Sequence, residues 1–240
     1  MTKRKQESYR KLIITCICTF IALLSPYHLT AKTFEYKGNG KELANKDGRA
    51  DSMLVCQLRH KGISFSHNNS VTLLCTGQEK FDDLFKAIDQ ARSSIHLEYF
   101  NFRNDSINDE LIRHLEKKVR QGVEVRAILD GFGNASNNQP MKKSTLRAIR
   151  KKGIEIYEFK PIEFPWIHDI FNRDHRKIVI IDGKIAYTGG MNVADYYIKG
   201  TKVVGSWHDM HCRIEGDEVN TLQNIFLRMW YLVSTKQVHG

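Results

Sequence analysis

The sequence predicts an α/β fold, with a largely parallel or mixed sheet held between helices. Three observations carry this. Short apolar or alternating runs of strand length recur along the chain. Longer stretches with apolar residues three and four apart, the pattern of a helix with one buried face, stand between them. The two kinds alternate as β-α-β-α-β, the order of crossover units rather than of an all-helical or all-strand protein.

Taken in order, residues 1–11 are polar and basic, with Lys3, Arg4, Lys5, Arg10 and Lys11, and residues 12–24 are apolar. That stretch is short of the ~20 residues a membrane span needs. It has the form of a signal peptide with a cleavage position after Ala31; an uncleaved anchor is the alternative. Either way, residues 1–31 predict that the rest is membrane-associated and faces the extracytoplasmic side, at the cell membrane or in the periplasm. Residues 32–52 are rich in Gly, Lys and Asn and read as a linker, which leaves residues 53–240 as the folded domain.

Strands are expected at 53–58 and 71–75. Phe81, Leu84, Phe85, Ile88 and Ala91 predict a helix over 79–93. Residues 95–100 alternate as a strand. Ile107, Leu111, Leu115 and Val119 predict a helix over 106–121, with Gly122 as its stop. A strand at 123–129, a basic helix at 142–152 and a strand at 154–159 follow. Residues 178–181 are continuously apolar, as in a strand buried on both faces. Asp182-Gly183 predicts a two-residue turn into the strand 184–188. A strand is expected at 207–214, then a closing helix through Val219, Leu222, Ile225, Phe226 and Met229 to Tyr231.

The chain has 240 residues and a formal charge of +10, with Lys and Arg dense between Lys142 and Lys177. That favours anionic partners, phospholipid headgroups or nucleic acid, though a solvated basic surface would look the same. Cys16 and Cys18 lie in the apolar segment; Cys56, Cys75 and Cys212 are an odd number without metal spacing, so no disulfide framework is expected.

The chemistry concentrates in residues 172–192, NRDHRKIVIIDGKIAYTGGMN. On an extended chain His175 and Lys177 point to one face. A neutral imidazole can attack or relay a proton near pH 7, and a lysine beside it supplies positive charge for an anion such as a phosphate ester. Asp182 is an odd number of residues from His175, which suggests support rather than phosphate contact. Gly189-Gly190 permits close backbone approach, and a helix opening after it would favour an anion, with Asn192 as a further donor.

The pattern H-x-K-x4-D-x6-G-G-x-N resembles the HKD motif of the phospholipase D superfamily. With GGMNVADYY and WHDMHCRIEG, the chain is most similar to the N-terminal module of bacterial cardiolipin synthases. This resemblance implies a phospholipase D-like mixed sheet flanked by helices. It implies His175, Lys177 and Asp182 as the catalytic set, and Lys177, Gly190 and Asn192 at the substrate phosphate. It also implies chemistry without metal or cofactor, through a phosphohistidine, that transfers a phosphatidyl group between phosphatidylglycerol molecules at the membrane surface.

The family carries two HKD motifs and this chain has one. A second module is therefore expected, from a homodimer, from another HKD protein or from a missing C-terminal half; the match to a first module favours the last. The alternatives are a secreted homodimeric HKD endonuclease acting on nucleic acid, and an inactive module that binds anionic lipid.

Other eye-catching residues have plainer readings. His208, Asp209, His211 and Cys212 suggest a metal, but on a strand the two histidines face opposite ways, so packing and supporting hydrogen bonds are expected. Glu98 and Asp130 stand near predicted strand ends, where ligand sites gather, yet with Asp195 they read as structural carboxylates. His96 and His114 read as ordinary. Phe164-Pro165-Trp166 is either a lip that touches lipid or a plug on the core.

Overall fold

The computed structural model describes residues 49–62, 68–162 and 171–234. The expected leader and most of the linker lie outside the described residues, as does Phe164-Pro165-Trp166. The chain divides into two units, residues 1–64 and 65–240.

In the first unit, residues 53–58 are not a strand. They belong to helix α1, Arg49–His60. A short apolar run does not separate the two states by itself, but Leu54, Val55 and Leu58 also stand three and four apart, as one helix face requires. No helix among the described residues is long and apolar enough to cross a membrane.

The second unit contains the strands β1 (Ser70–Leu74), β2 (Ser94–Tyr99), β3 (Glu124–Asp130), β4 (Glu155–Phe159), β5 (Lys177–Ile181), β6 (Ile185–Gly189) and β7 (His211–Glu215). They form one sheet in the order β1-β7-β6-β5-β2-β3-β4. β2, β3 and β4 are mutually parallel. β5 runs antiparallel to β2, and β6, β7 and β1 continue antiparallel from there. The sheet is thus mixed, as the sequence predicts.

The parallel half is crossed by helices α2 (Gly77–Gln90), α3 (Ser106–Arg120), α4 (Gly131–Ser136) and α5 (Lys143–Lys151). α2 starts on Thr76, whose hydroxyl accepts from the Glu79 N–H at 3.1 Å, while the Glu79 carboxylate accepts from the Cys75 N–H at 2.7 Å. This satisfies donors that a helix start otherwise leaves open. The apolar faces of α2, α3 and α5 close over Ile95, Leu97, Tyr99, Val125, Val179 and Ile181. The other face, with Ile128, Ile178, Ile180 and Ala186, is covered by α7 (Glu218–Ser234) through Val219, Phe226 and Trp230. β5 is buried at every residue, as its apolar run requires.

Two expectations near the motif are corrected. No helix opens after Gly190: residues 191–195 are irregular and only α6, Tyr196–Lys199, is helical. Val193 is held extended because its N–H donates to Asn101 O at 3.2 Å and its carbonyl accepts from Arg103 N at 2.9 Å. The strand expected at 207–214 begins only at His211. Trp207 is drawn from the ladder to pack on Tyr196 and Tyr197, with ring centroids 4.6 and 5.9 Å away.

Candidate active site

The parallel strands β2, β3 and β4 all end at one edge of the sheet, where β5 and β7 begin and β6 ends. Ligand sites in sheets with parallel strands gather outside such carboxyl ends. Register carries the motif there: Lys177 is paired with Tyr99, the last residue of β2, and His175 stands just beyond it.

The His175 ring is exposed and lies 4.7 Å from the Phe100 ring. Lys177 is buried, its ammonium 5.4 Å from the same ring. Lys177 Nζ donates to the backbone carbonyl of His175 at 2.6 Å. Partial burial, then the positive charge of Lys177, lowers the His175 pKa against the opposing pull of Asp130 and Asp174. His175 is therefore a neutral imidazole at pH 7, the form that has a free lone pair. Burial likewise pulls Lys177 down to about 8, although Asp174 and Asp209 resist. It keeps its charge at neutral pH and gives it up in mild alkali.

A buried carboxylate sets the approach to this strand. Asp130, at the end of β3, accepts from the N–H groups of Phe132 and Gly133 at 2.9 Å each. Its other oxygen accepts from the Asp174 N–H at 2.9 Å, and the Arg173 guanidinium lies 3.3 Å away. One side chain thus caps α4 and anchors the segment that presents His175. Gly133 is required there, since a Cβ would fall 2.0 Å from the Phe100 carbonyl oxygen. On the α7 side, Arg176 Nε is 2.6 Å from Glu98 and 3.1 Å from Asp174. Burial first, then the adjacent Asp174 charge, raises the Glu98 carboxyl to about 8 despite Arg176, so Glu98 holds its proton at pH 7. A cavity of about 500 Å³ opens beside His175, with Arg173, Arg176, Phe159 and Met229 in its wall.

The glycine turn is engaged by the protein itself. The Gly190 N–H donates to Met210 O at 2.9 Å. The Asn192 side-chain oxygen accepts from Asn101 N at 3.1 Å, and its amide donates to Tyr197 Oη at 3.2 Å. The absent Cβ of Gly190 admits the Asp209 carboxylate, which a side chain would meet at 2.1 Å. Behind the turn, the fully buried Lys80 of α2 donates from Nζ to Met191 O at 3.1 Å and Asn192 O at 3.0 Å. Burial pushes its pKa well down, Asp209 pulling it back up and Lys177 adding to the fall. His211 is buried too, and burial with the Lys80 and Lys177 charges drives its pKa down to about 2, so it is neutral. His208, by contrast, is exposed.

Asp182 is not brought to this edge. It stands at the far end of β5, ~17 Å from Lys177 at ~3.3 Å per strand residue. Its carboxylate accepts from the N–H groups of Arg92, Ser93 and Ser94 and from the Ser93 hydroxyl at 2.8–3.0 Å. Together with Gly183 it forms the centre of the β5–β6 turn, with φ of 53° and 62°, and Lys184 is a third loop residue.

Sequence reasoning missed Lys80, Phe100 and Asp174, while Asp130, read as a structural carboxylate, is the one that anchors the approach to His175. Lys80 did leave a signal: it falls in phase with Leu84, Ala87 and Ile88 on the apolar face of α2, where a lysine needs a buried partner.

The family model described as cardiolipin synthase, PLD-like domain, matches residues 84–230. Cardiolipin synthase 2 of Staphylococcus epidermidis is 38% identical over 201 residues, 83% of this chain and 39% of that protein. The cardiolipin synthase of Halalkalibacterium halodurans is 39% identical over 178 residues, 74% of this chain and 34% of that one. The chain therefore spans less than two-fifths of the length of these relatives. Among solved structures, NucT from Helicobacter pylori aligns with a TM-score of 0.53 at 18% identity, covering 69% of this chain and 98% of that one. Phosphatidylserine synthase of Haemophilus influenzae aligns with a TM-score of 0.53 at 13% identity, over 64% of this chain and 35% of that one. At those identities the structures speak for the fold alone, whereas the family model and the closer sequences speak for descent: the chain belongs to the cardiolipin synthase family of phospholipase D-like domains.

Proposed function

We propose that this chain is one module of a cardiolipin synthase-type phosphatidyltransferase that acts on phosphatidylglycerol at the extracytoplasmic face of the membrane. The observation that carries the reading is His175: a neutral, exposed imidazole at the mouth of the sheet, whose backbone carbonyl accepts from the charged Lys177.

A His175 ring nitrogen attacks the phosphorus of phosphatidylglycerol. A nitrogen–phosphorus bond forms, and the bond to the glycerol oxygen breaks. Lys177 balances negative charge on the phosphoryl oxygens, an effect that such groups supply at ~10²–10³ in rate. The departing glycerol oxygen needs a proton, and His175 cannot give one while it is the nucleophile. A histidine of a second module gives it, then takes the proton of the acceptor hydroxyl as that oxygen displaces His175. The second module is a second copy of this chain or a further stretch of a longer one. Asn192 and Lys80 act through the backbone of the glycine turn, and Asp182 through the fold.

The test is mass spectrometry of lipids after the full chain meets phosphatidylglycerol vesicles across a range of protein concentrations, with His175→Ala as control. Cardiolipin and glycerol should form with wild type only, with a rate per chain that rises as copies meet. Undiminished turnover in His175→Ala overturns the mechanism. Full turnover by a monomer overturns the need for a second module. Cleavage of DNA without lipid turnover would make the chain a nuclease.

A further inference from the structure

The loops at the His175 edge carry apolar side chains that stand exposed. Val203 is 95% exposed, Val204 62%, Phe171 94% and Met210 53%. Phe171 precedes β5, the two valines lie between β6 and β7, and Met210 immediately precedes β7. All four belong to the connections at the end of the sheet where His175 stands. Scattered exposed apolar residues are ordinary, but a group on one rim marks an interaction surface.

The valines stand on a built turn rather than a slack loop. Thr201 N donates to Gly205 O at 2.9 Å, Gly205 N to Thr201 O at 2.8 Å, and Val204 N to the Thr201 hydroxyl at 3.0 Å. Gly200 lets the two arms meet, since a Cβ there would lie 2.1 Å from the Gly205 carbonyl oxygen. The base of the turn is fastened to the site: Trp207 packs on Tyr196 and Tyr197, and Tyr197 holds the Asn192 amide. The tip is Lys202-Val203-Val204, with the exposed Lys199 ammonium just before it paired to Asp195 at 2.6 Å. An apolar tip with Lys202 beside the two valines suits a surface that is negative outside and oily within. A nucleic acid backbone would give the two valines nothing to bury against.

We infer that the turn Thr201–Gly205 is a membrane-docking tip: Val203 and Val204 insert among lipid acyl chains and Lys202 meets anionic headgroups, so that the bilayer surface is set against the mouth that contains His175. This rests on the lipid-substrate reading above, and it names the surface through which that substrate arrives.

The test is hydrogen–deuterium exchange of the full chain, free and on vesicles, which reads the tip locally even if residues 1–31 also bind lipid. On phosphatidylglycerol vesicles, amides of residues 200–206 should exchange several-fold more slowly than in solution, and less so on phosphatidylcholine. In the double variant Val203→Asp, Val204→Asp that slowing should vanish while exchange in β2, β3 and β5 stays as in wild type, which also shows that the variant folds. Unchanged exchange at 200–206 in vesicle-bound wild type overturns the inference. Slowing that appears without vesicles and grows with protein concentration overturns it as well, and assigns the tip to a second copy. Because exchange needs no turnover, an inactive chain that is protected at 200–206 leaves the docking surface standing while the catalytic reading falls.

Discussion

The ammonium of Lys177 donates to the carbonyl oxygen of His175, two residues earlier on the same strand approach, at 2.6 Å. One of its three protons is thereby spent on geometry, and the other two remain for an anion beside the imidazole. The bond couples the nucleophile's backbone to the charge that would steady the reacting phosphate.

Because burial lowers Lys177 to about 8, that charge is lost as pH rises through about 8. The protonated form is the useful one, so activity should hold at pH 7 and fall tenfold for each unit well above 8. Lys177→Met should lose ~10²–10³ in kcat at pH 7, and its gap to wild type should narrow as the pH rises above 8. Lys177→Arg, which does not titrate there, should retain a residual rate without the alkaline limb. A pH–rate profile of the three proteins checks this, and an unchanged limb in Lys177→Arg would assign it to another group.

Asp182→Asn should damage the fold and spare the chemistry. Although partial burial works the other way, hydrogen bonds from Ser94, Ser93 and Arg92 hold the carboxylate below its ordinary pKa. Bonds to an ionised acceptor contribute ~1.5–3 kcal/mol each on a generous count, and removing the charge while keeping the shape should cost about 2–4 kcal/mol in total. The folded-state pKa is depressed, so this contribution is present above the ordinary value of 3.8 and is lost as pH falls through the folded-state value. Chemical denaturation should show the gap between wild type and variant close in acid, while the kcat of folded Asp182→Asn at pH 7 stays within a few-fold of wild type. A loss comparable with that of His175→Ala would place Asp182 in the chemistry.

Lys80→Met keeps much of the stem and removes the ammonium from Met191 O and Asn192 O. Two buried carbonyls would then lack a partner, at ~1–3 kcal/mol each, so the variant should be about 2–6 kcal/mol less stable. Because that backbone leads into Asn192, kcat should fall at least tenfold with little change in vesicle binding. Urea melts and initial rates on one preparation distinguish this from a surface lysine, whose loss would leave both unchanged.

Much of the element order was legible because it depends on local period. The helices over 79–93 and 106–121 show in the spacing of their apolar residues, and both form within a few residues of the expected ends. Residues 53–58 failed because so short an apolar run fits either state, and the flanking Arg49–Ser52 and Arg59–His60 extend it into a helix. The stretch 207–210 failed for a different reason. Its residues suit a strand, but Trp207 found an aromatic cluster and Asp209 a place over Gly190, and neither preference appears in a periodicity.

By itself the sequence determined the α/β alternation, the buried character of β5, the Asp-Gly turn after it and the pairing of His175 with Lys177, since all of these follow from residue type and from spacings of a few positions. Only the tertiary structure decided which distant residues surround that pair. Lys80 reaches the carbonyl of Asn192 across 112 positions and Asp130 meets the N–H of Asp174 across 44, because the sheet order sets α2 and the end of β3 against the start of β5. Distance along β5 likewise sends Asp182 to the opposite end. Buried polar groups need partners whatever their place in the chain, and strand register, which no local pattern records, selects those partners.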